Sequence, residues 1–520
     1  MTGETQYPVQ DEKYNYKELR SGRKSGLLLH ISSLPSPYGI GTMGDAARDF
    51  IDFLVQAGQS YWQILPIGPT GFGNSPYQSF STRAGNPYLI DIDLLVQDGL
   101  LKKDEPAQFD FGADEEKVDF SLLWKNRLTL LHLAWERLRD NKVPDLYEEF
   151  EEFRQAEDWL EEYAVFMSIK SAYGGASWTD WPDVLKRRNP VSLAEFMDSH
   201  QEEIAFQEFL QFLFFRQWEH LHTYARKSGI EIMGDLPIYV AGDSAEVWTR
   251  PELFQMDQDL KPTFVSGTPP DGYTDGGQLW GSPLFKWEVH EADGYKWWID
   301  RIRFQMRFYD MLRLDHFRGF ESYWAVPYGD STASRGRWVQ GPADKLFQAI
   351  KDQLGALPLF AEDLGYMTKE VSDFRDRTGF PSMKVLQFAF NPNDLSDYLP
   401  HNMIENAVLY TGTHDNDTIR GWQEEGASEE ELAFARRYLG LNDEEGFVWG
   451  MMRGAATTVA NTVIFQMQDL LELDNKARMN VPATLDGNWE WRMKAGLLSS
   501  ELAQKLHQLT RISGRLAVLR

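Results

Sequence analysis

The sequence predicts an α/β fold, a (β/α)8 TIM barrel with a large, mostly helical inserted subdomain and a long aromatic, Gly- and Pro-rich loop insertion at the C-terminal face of the barrel. Three observations carry the prediction. Eight short apolar runs are each followed by a polar or turn-rich stretch, and several are separated by amphipathic stretches at helical spacing. No G-x-G-x-x-G or G-x-x-x-x-G-K-[ST] follows any run, so the main fingerprints of a doubly wound open sheet are missing.

Taken in order, residues 1–25 are polar and charged and read as a loose arm without the apolar core of a signal peptide. The first strand is 26–31, ended by Ser32-Ser33-Leu34-Pro35-Ser36-Pro37. Phe50, Phe53, Leu54 and Ala57 then fall at i, i+3, i+4 and i+7 with Gly58 as the stop, so a helix precedes the second strand at 61–66. Residues 71–220 are acidic and helical in pattern, with Leu123, Leu128, Leu131 and a Phe-dense stretch at 206–215, and are expected to form an inserted helical subdomain. A third strand at 231–235 leads into 240–287, where Gly267, Pro269, Pro270, Gly272, Gly276, Gly277 and Gly281 alternate with aromatics and read as loop. Tyr295, Trp298, Ile299, Ile302, Met306 and Tyr309 repeat at helical spacing before a fourth strand at 311–315. The remaining strands are expected at 357–363, 383–388, 407–410 and 462–465, so one catalytic barrel spans 26–520.

Composition narrows the function. Lys and Arg number 52 against 79 Asp and Glu, and a net charge of −27 with no basic run repels a phosphate backbone, which argues against a nucleic-acid partner. Zero cysteines remove disulfides, thiolate nucleophiles and Cys-ligated metals, and fit a cytoplasmic setting. No run of 18 apolar residues offers a membrane span. The 18 Trp, 21 Tyr and 32 Phe exceed what a core requires, so part of them is expected to line a ligand surface.

The most informative stretch is Leu312-Arg313-Leu314-Asp315-His316-Phe317-Arg318-Gly319. Burying so many charges unpaired costs several kcal/mol each, about what desolvation of an ion demands, so they belong at a strand end facing a cleft. On a barrel, residues just past the strands share one face, which gathers Asp235, Arg313, Asp315, His316, Glu362, Asp363, His414 and Asp415. Two carboxyls, one ionised and one protonated, are what glycoside cleavage requires: the transition state is cationic and the leaving oxygen takes a proton. Arg313 offers Asp315 a cationic neighbour, whereas Glu362 follows the apolar Leu359-Phe360-Ala361 and is expected to hold its proton through desolvation. Taken alone, Glu362-Asp363 reads equally well as a solvated loop cap and His414-Asp415-Asn416-Asp417 as an Asx-rich turn. Metal chemistry has little support, since the single H-x-H, His220-Leu221-His222, lies in a helical pattern where i and i+2 diverge. Tyr77, Tyr273 and Trp280 are candidates to stack on sugar rings.

With these residues in view, the chain resembles the amylomaltase or disproportionating-enzyme family of 4-α-glucanotransferases within the α-amylase clan. The resemblance runs through Ile31 to Gly41, Ser75-Pro76-Tyr77-Gln78-Ser79-Phe80, Gly85-Asn86-Pro87-Tyr88-Leu89, Gly234-Asp235-Leu236-Pro237 and Gly277-Gln278-Leu279-Trp280-Gly281. It continues through Arg313 to Gly319, Ala361-Glu362-Asp363-Leu364-Gly365, Lys384-Val385-Leu386-Gln387-Phe388, Thr413-His414-Asp415-Asn416 and Ala477-Arg478-Met479-Asn480. It implies Asp315 as nucleophile, Glu362 as general acid/base and Asp415 as the carboxylate that distorts the sugar and stabilises the transition state. It also implies Arg313, His316, His414 and Asp235 as subsite residues, Tyr77 as a stacking ring and Trp280 near the acceptor. The implied reaction is retaining transfer of α-1,4-glucan segments to the 4-hydroxyl of a glucan or of glucose, with ring closure of long amylose, by a monomer or homodimer without organic cofactor or required metal. An α-glucan hydrolase using the same carboxylates is the rival reading. Two departures stand out. Gly272-Tyr273 replaces an aromatic pair, and Asn480-Val481-Pro482-Ala483 replaces Asn-x-Pro-Gly in a late loop expected to lie clear of the three carboxylates.

Overall fold

In the computed structural model the described residues are 22–517, apart from 72, 141, 271–274, 366 and 395. Residues 1–21 of the expected arm and the stacking candidate Tyr273 lie outside them; the arm's expected end at 25 is moved back, because Lys24 and Ser25 already belong to the first strand.

The strands are β1 (Lys24–Leu28), β2 (Tyr61–Gln63), β3 (Glu231–Pro237), β4 (Phe264–Thr268), β5 (Gln278–Pro283), β6 (Met311–Asp315), β7 (Ser322–Pro327), β8 (Arg337–Gln340), β9 (Leu359–Ala361), β10 (Ser382–Val385), β11 (Ala407–Tyr410) and β12 (Thr462–Gln466). Eight of them close a parallel barrel in the order β1-β2-β3-β6-β9-β10-β11-β12. Sheets covered on both faces are built from near-continuous apolar runs, and Ala407-Val408-Leu409-Tyr410 is buried throughout. Inward residues are identified by contacts that cross the lumen: the Tyr410 hydroxyl donates to Gln63 Oε1 at 2.7 Å, although β11 and β2 are not neighbours. Close packing is visible at Gly234 of β3, where an added Cβ would lie 2.4 Å from the Tyr309 ring, so no larger residue fits.

The helix predicted before β2 spans Asp45–Gln56 and buries Phe50, Ile51, Phe53 and Leu54 on one face. Between β2 and β3 the chain passes through helices that include Phe120–Arg139, Pro144–Ala156, Leu160–Ala172 and Gln201–Lys227. Asp119 caps the first by accepting the Ser121 and Leu122 amides, and Pro144 opens the second at the position where a missing N–H costs nothing. The 27-residue Gln201–Lys227 helix packs on Leu160–Ala172, sets Phe209, Phe212 and Phe215 against Phe150 and Phe153 of Pro144–Ala156, and runs directly into β3.

The region 240–287 is not all loop, as its Gly and Pro content led one to expect. It contributes β4 and β5 to an antiparallel sheet of order β5-β4-β7-β8. The other two strands come from residues 322–340, so the pairing that defines the sheet is not visible within the segment itself. Leu284, Tyr323 and Ala325 pack against Tyr239 and Trp287, which seats this small sheet against the barrel.

Candidate active site

Strand register explains why the catalytic candidates converge. Asp235 of β3 lies level with Arg313 of β6, and side chains two apart on a strand share a face, so Arg313 and Asp315 point the same way while Leu312 and Leu314 face the other. Phe360 of β9 is level with Arg313. Glu362, two residues further, therefore rises beside Asp315. The ladder continues past the strand end, with the Glu362 amide donating to the Leu314 carbonyl and the Phe317 amide to the Glu362 carbonyl, both at 3.0 Å.

Nine of the eleven candidates gather here, in two groups joined through the Asp315–His316 peptide. Tyr77 donates its hydroxyl to Asp235 Oδ2 at 2.7 Å; Arg313 Nη1 donates to the same oxygen at 2.7 Å and pairs with Asp315 Oδ1 at 2.9 Å. The Asp235 side chain is fully buried, whereas Asp315 keeps 26% of its side-chain surface, so only Asp315 of this pair is open to a ligand. His316 follows in a left-handed conformation, φ 52°, which turns its amide toward Glu362 Oε2 at 2.8 Å. A non-glycine residue held there stores about 1 kcal/mol of strain. Glu362 Oε1 accepts the Leu364 amide at 2.8 Å. Trp280 of β5 meets the His316 ring edge to face at 4.7 Å, with Tyr239 behind both. Opposite, Tyr77 stacks on His414 at 5.2 Å, and His414 Nε2 lies 3.3 Å from Asp415 Oδ2.

The electrostatics separate the acids. Burial pushes the Glu362 carboxyl up to about 7; Arg313 opposes the rise and Asp315's charge adds to it. Burial likewise pushes Asp235 up to about 7, opposed by Arg313's charge, helped by that of Asp315, and opposed again by the hydrogen bonds from Tyr77 and Arg313. Burial opposes the charge on Arg313, but Asp235 and Asp315 outweigh it and hold the guanidinium well above its ordinary range. Burial lowers His414 and takes His316 down to about 3, so His316 stands as a neutral imidazole near neutral pH.

Asp363 does not join this face. It points to the opposite side of the chain from Glu362 and accepts Ser382 Oγ, the Met383 amide and Arg375, tying β9 to β10. His222 Nε2 is satisfied by Asp310 at 2.9 Å, away from the mouth. The late loop, in contrast, does reach a carboxylate. Asn480 Nδ2 donates to Asp415 Oδ1 at 2.6 Å, Arg478 donates to the Asp415 carbonyl at 2.6 Å and pairs with Asp417, and Trp489 packs on Tyr77 and His414. Asn480, Arg478 and Trp489 carry no charge pattern or spacing that links them to position 415 in the sequence, and only the fold brings them there. Among the described residues no cluster of three or more His, Asp or Glu is placed to hold a metal ion.

A barrel mouth with two carboxyls on adjacent strands, a third across the ring and stacked aromatics around them defines a carbohydrate-active enzyme. Residues 29–499 match the sequence profile described as 4-alpha-glucanotransferase, and the chain belongs to that family. It is 48% identical to a 4-alpha-glucanotransferase of Clostridium butyricum over 94% of this chain and 100% of that one. It is 46% identical to the Thermus thermophilus 4-alpha-glucanotransferase over 95% and 99% of the two chains. The solved amylomaltase of Streptococcus agalactiae in complex with acarbose superposes with a TM-score of 0.93 at 42% identity, covering 95% of this chain and 99% of that one. The activity is thus that of a glycosyl-transferring enzyme on α-glucans, and among the described residues no helix is long and apolar enough to cross a membrane.

Proposed function

We propose that the mouth performs transfer by a retaining double displacement. In the first half, an Asp315 oxygen bonds to C1 of the donor glucosyl unit as the C1–O4 bond breaks, and Glu362 gives its proton to the departing O4. In the second half, an acceptor 4-hydroxyl gives its proton to the Glu362 carboxylate while its oxygen takes C1, and Asp315 leaves as carboxylate. Two inversions restore the α configuration.

The observation that carries this reading is the unequal setting of two carboxyls on adjacent strands: Asp315 is ion-paired with Arg313 and open to the cleft, and Glu362 is raised to about 7 by burial. Asp315's charge is among the causes that raise Glu362. Once Asp315 is esterified that cause vanishes and Glu362 becomes the stronger acid, ready to act as the base of the second half. Asp415, held by Asn480 and facing His414, stabilises the developing cation and the distorted ring. Tyr77 with His414 offers a stacking surface, and Trp280 beside His316 lines the acceptor side. Arg313, Asp235, His316 and His414 set the subsite around the cleaved bond.

The acceptors are a glucan or glucose, or the donor's own far end when a long chain closes into a ring. The zero cysteines support a cytoplasmic setting. Incubation with maltotriose tests the proposal: a ladder of longer and shorter maltooligosaccharides at constant reducing ends supports transfer, and net growth of reducing ends would replace it with hydrolysis.

A further inference from the structure

Just past the C-terminal end of β12 lies another buried carboxylate, Asp469, 1% exposed, in the short helix Met467–Leu470. Oδ2 accepts the Thr411 hydroxyl and Oδ1 accepts the Ile419 amide, each at 2.7 Å. Thr411 is the first residue after β11 and Ile419 opens the helix Ile419–Gly421, so one carboxylate holds both ends of the loop that carries His414 and Asp415. The middle of the loop is held separately, by the side-chain amides of Gln387 and Gln466 on the Asp417 carbonyl at 2.8 and 3.3 Å. Burial pushes Asp469 up to about 7, opposed by the two hydrogen bonds alone, and among the described residues no Lys or Arg is paired with it. An unpaired buried carboxylate is costly to keep.

We propose that Asp469 is a positioning residue for transfer: by holding Thr411 and Ile419 together, its carboxylate sets the loop that presents Asp415 to the donor sugar. This rests on the role given to Asp415 above. The chemistry of the two bonds determines what a substitute must do. The Ile419 amide only donates, so it requires an oxygen. The Thr411 hydroxyl donates or accepts, so it tolerates an NH2 in place of the second oxygen. Asparagine satisfies both partners, and alanine satisfies neither.

The test measures maltotriose transfer and folding for Asp469→Ala, Asp469→Asn, Thr411→Val and Asp415→Asn. In folded Asp469→Ala, kcat is expected to fall about 100-fold, the scale of a catalytic group displaced by an ångström, while KM moves by less than about threefold. Asp469→Asn is expected to recover most of that loss, and Thr411→Val, which removes one bond and keeps the shape, to lose roughly five- to tenfold in kcat. Wild-type kcat in folded Asp469→Ala overturns the proposal, as does an Asp469→Asn no better than alanine. If Asp469→Ala fails to fold, Thr411→Val decides: reduced kcat supports the anchor and unchanged kcat overturns it. Wild-type turnover in Asp415→Asn would instead remove the reading of Asp415 on which the anchor rests.

Discussion

The raised carboxyl of Glu362 has a kinetic consequence that can be worked out in advance. An ordinary glutamate at 4.5 is protonated in roughly 0.3% of molecules at pH 7, and one at about 7 in roughly half, so burial multiplies the competent acid roughly 160-fold. Glu362 acts in its protonated form in the first half-reaction. With Asp315 ionised, the rate is therefore full while Glu362 keeps its proton, and it falls as pH rises through about 7, tenfold per unit thereafter. The assay is kcat/KM for maltotriose disproportionation, read as glucose release from pH 4 to 9, with Glu362→Gln measured alongside on α-glucosyl fluoride. Fluoride departs without a proton. The variant is expected to lose about 100- to 10,000-fold on maltotriose yet to be glycosylated by the fluoride with no limb near pH 7. A wild-type profile that stays flat through pH 9 refutes the reasoning. A limb at 7 that persists in Glu362→Gln assigns the titration to Asp235, which burial also raises to about 7.

Asp315→Asn leaves Arg313 its partner Asp235, both of whose oxygens accept from Nη1, so fold and glucan binding are expected to survive while turnover falls three or more orders of magnitude, on the order seen when a nucleophile is deleted; calorimetry and transfer assays check both halves. Asn480→Ala removes the bond to Asp415 Oδ1 and is expected to lower kcat about 10- to 100-fold, the equivalent of one hydrogen bond to a charged group, with KM nearly constant; an unchanged kcat would make Asn480 a bystander. Ala483 sits at φ 64°, where a Cβ is strained, so Ala483→Gly is expected to raise stability by about 1 kcal/mol in denaturant unfolding; a destabilised variant would show the loop to be relaxed.

The strands were legible because each buried parallel strand is a short apolar run with polar residues at its end. The fourth, seventh and eighth were placed to within a residue at Met311–Asp315, Ala407–Tyr410 and Thr462–Gln466. The first, second and sixth were drawn too long at their C-terminal ends, where apolar residues continue into turns and 3₁₀ segments such as Ile31–Ser33 and Leu386–Ala389; the fifth was drawn too long at both ends of Leu359–Ala361. Glu362 was readable as a raised carboxyl because the residues before it are apolar. Asp363 was misplaced on the cleft face because two adjacent acids look alike until the alternation of the chain sends one into the cleft and the other against Arg375 and Ser382.

By itself the sequence determined the number of βα units and the carboxylates that end their strands, since periodicity and side-chain chemistry are local properties of the chain. Only the tertiary structure decided that residues 264–283 pair with 322–340 into a sheet that brings Trp280 to His316, and that Asn480 meets Asp415 while Asp469 meets both ends of its loop. Those contacts join residues 36 to 65 positions apart with no shared pattern. They exist because closing the barrel brings the ends of distant strands to one rim, where each buried donor and acceptor must find a partner.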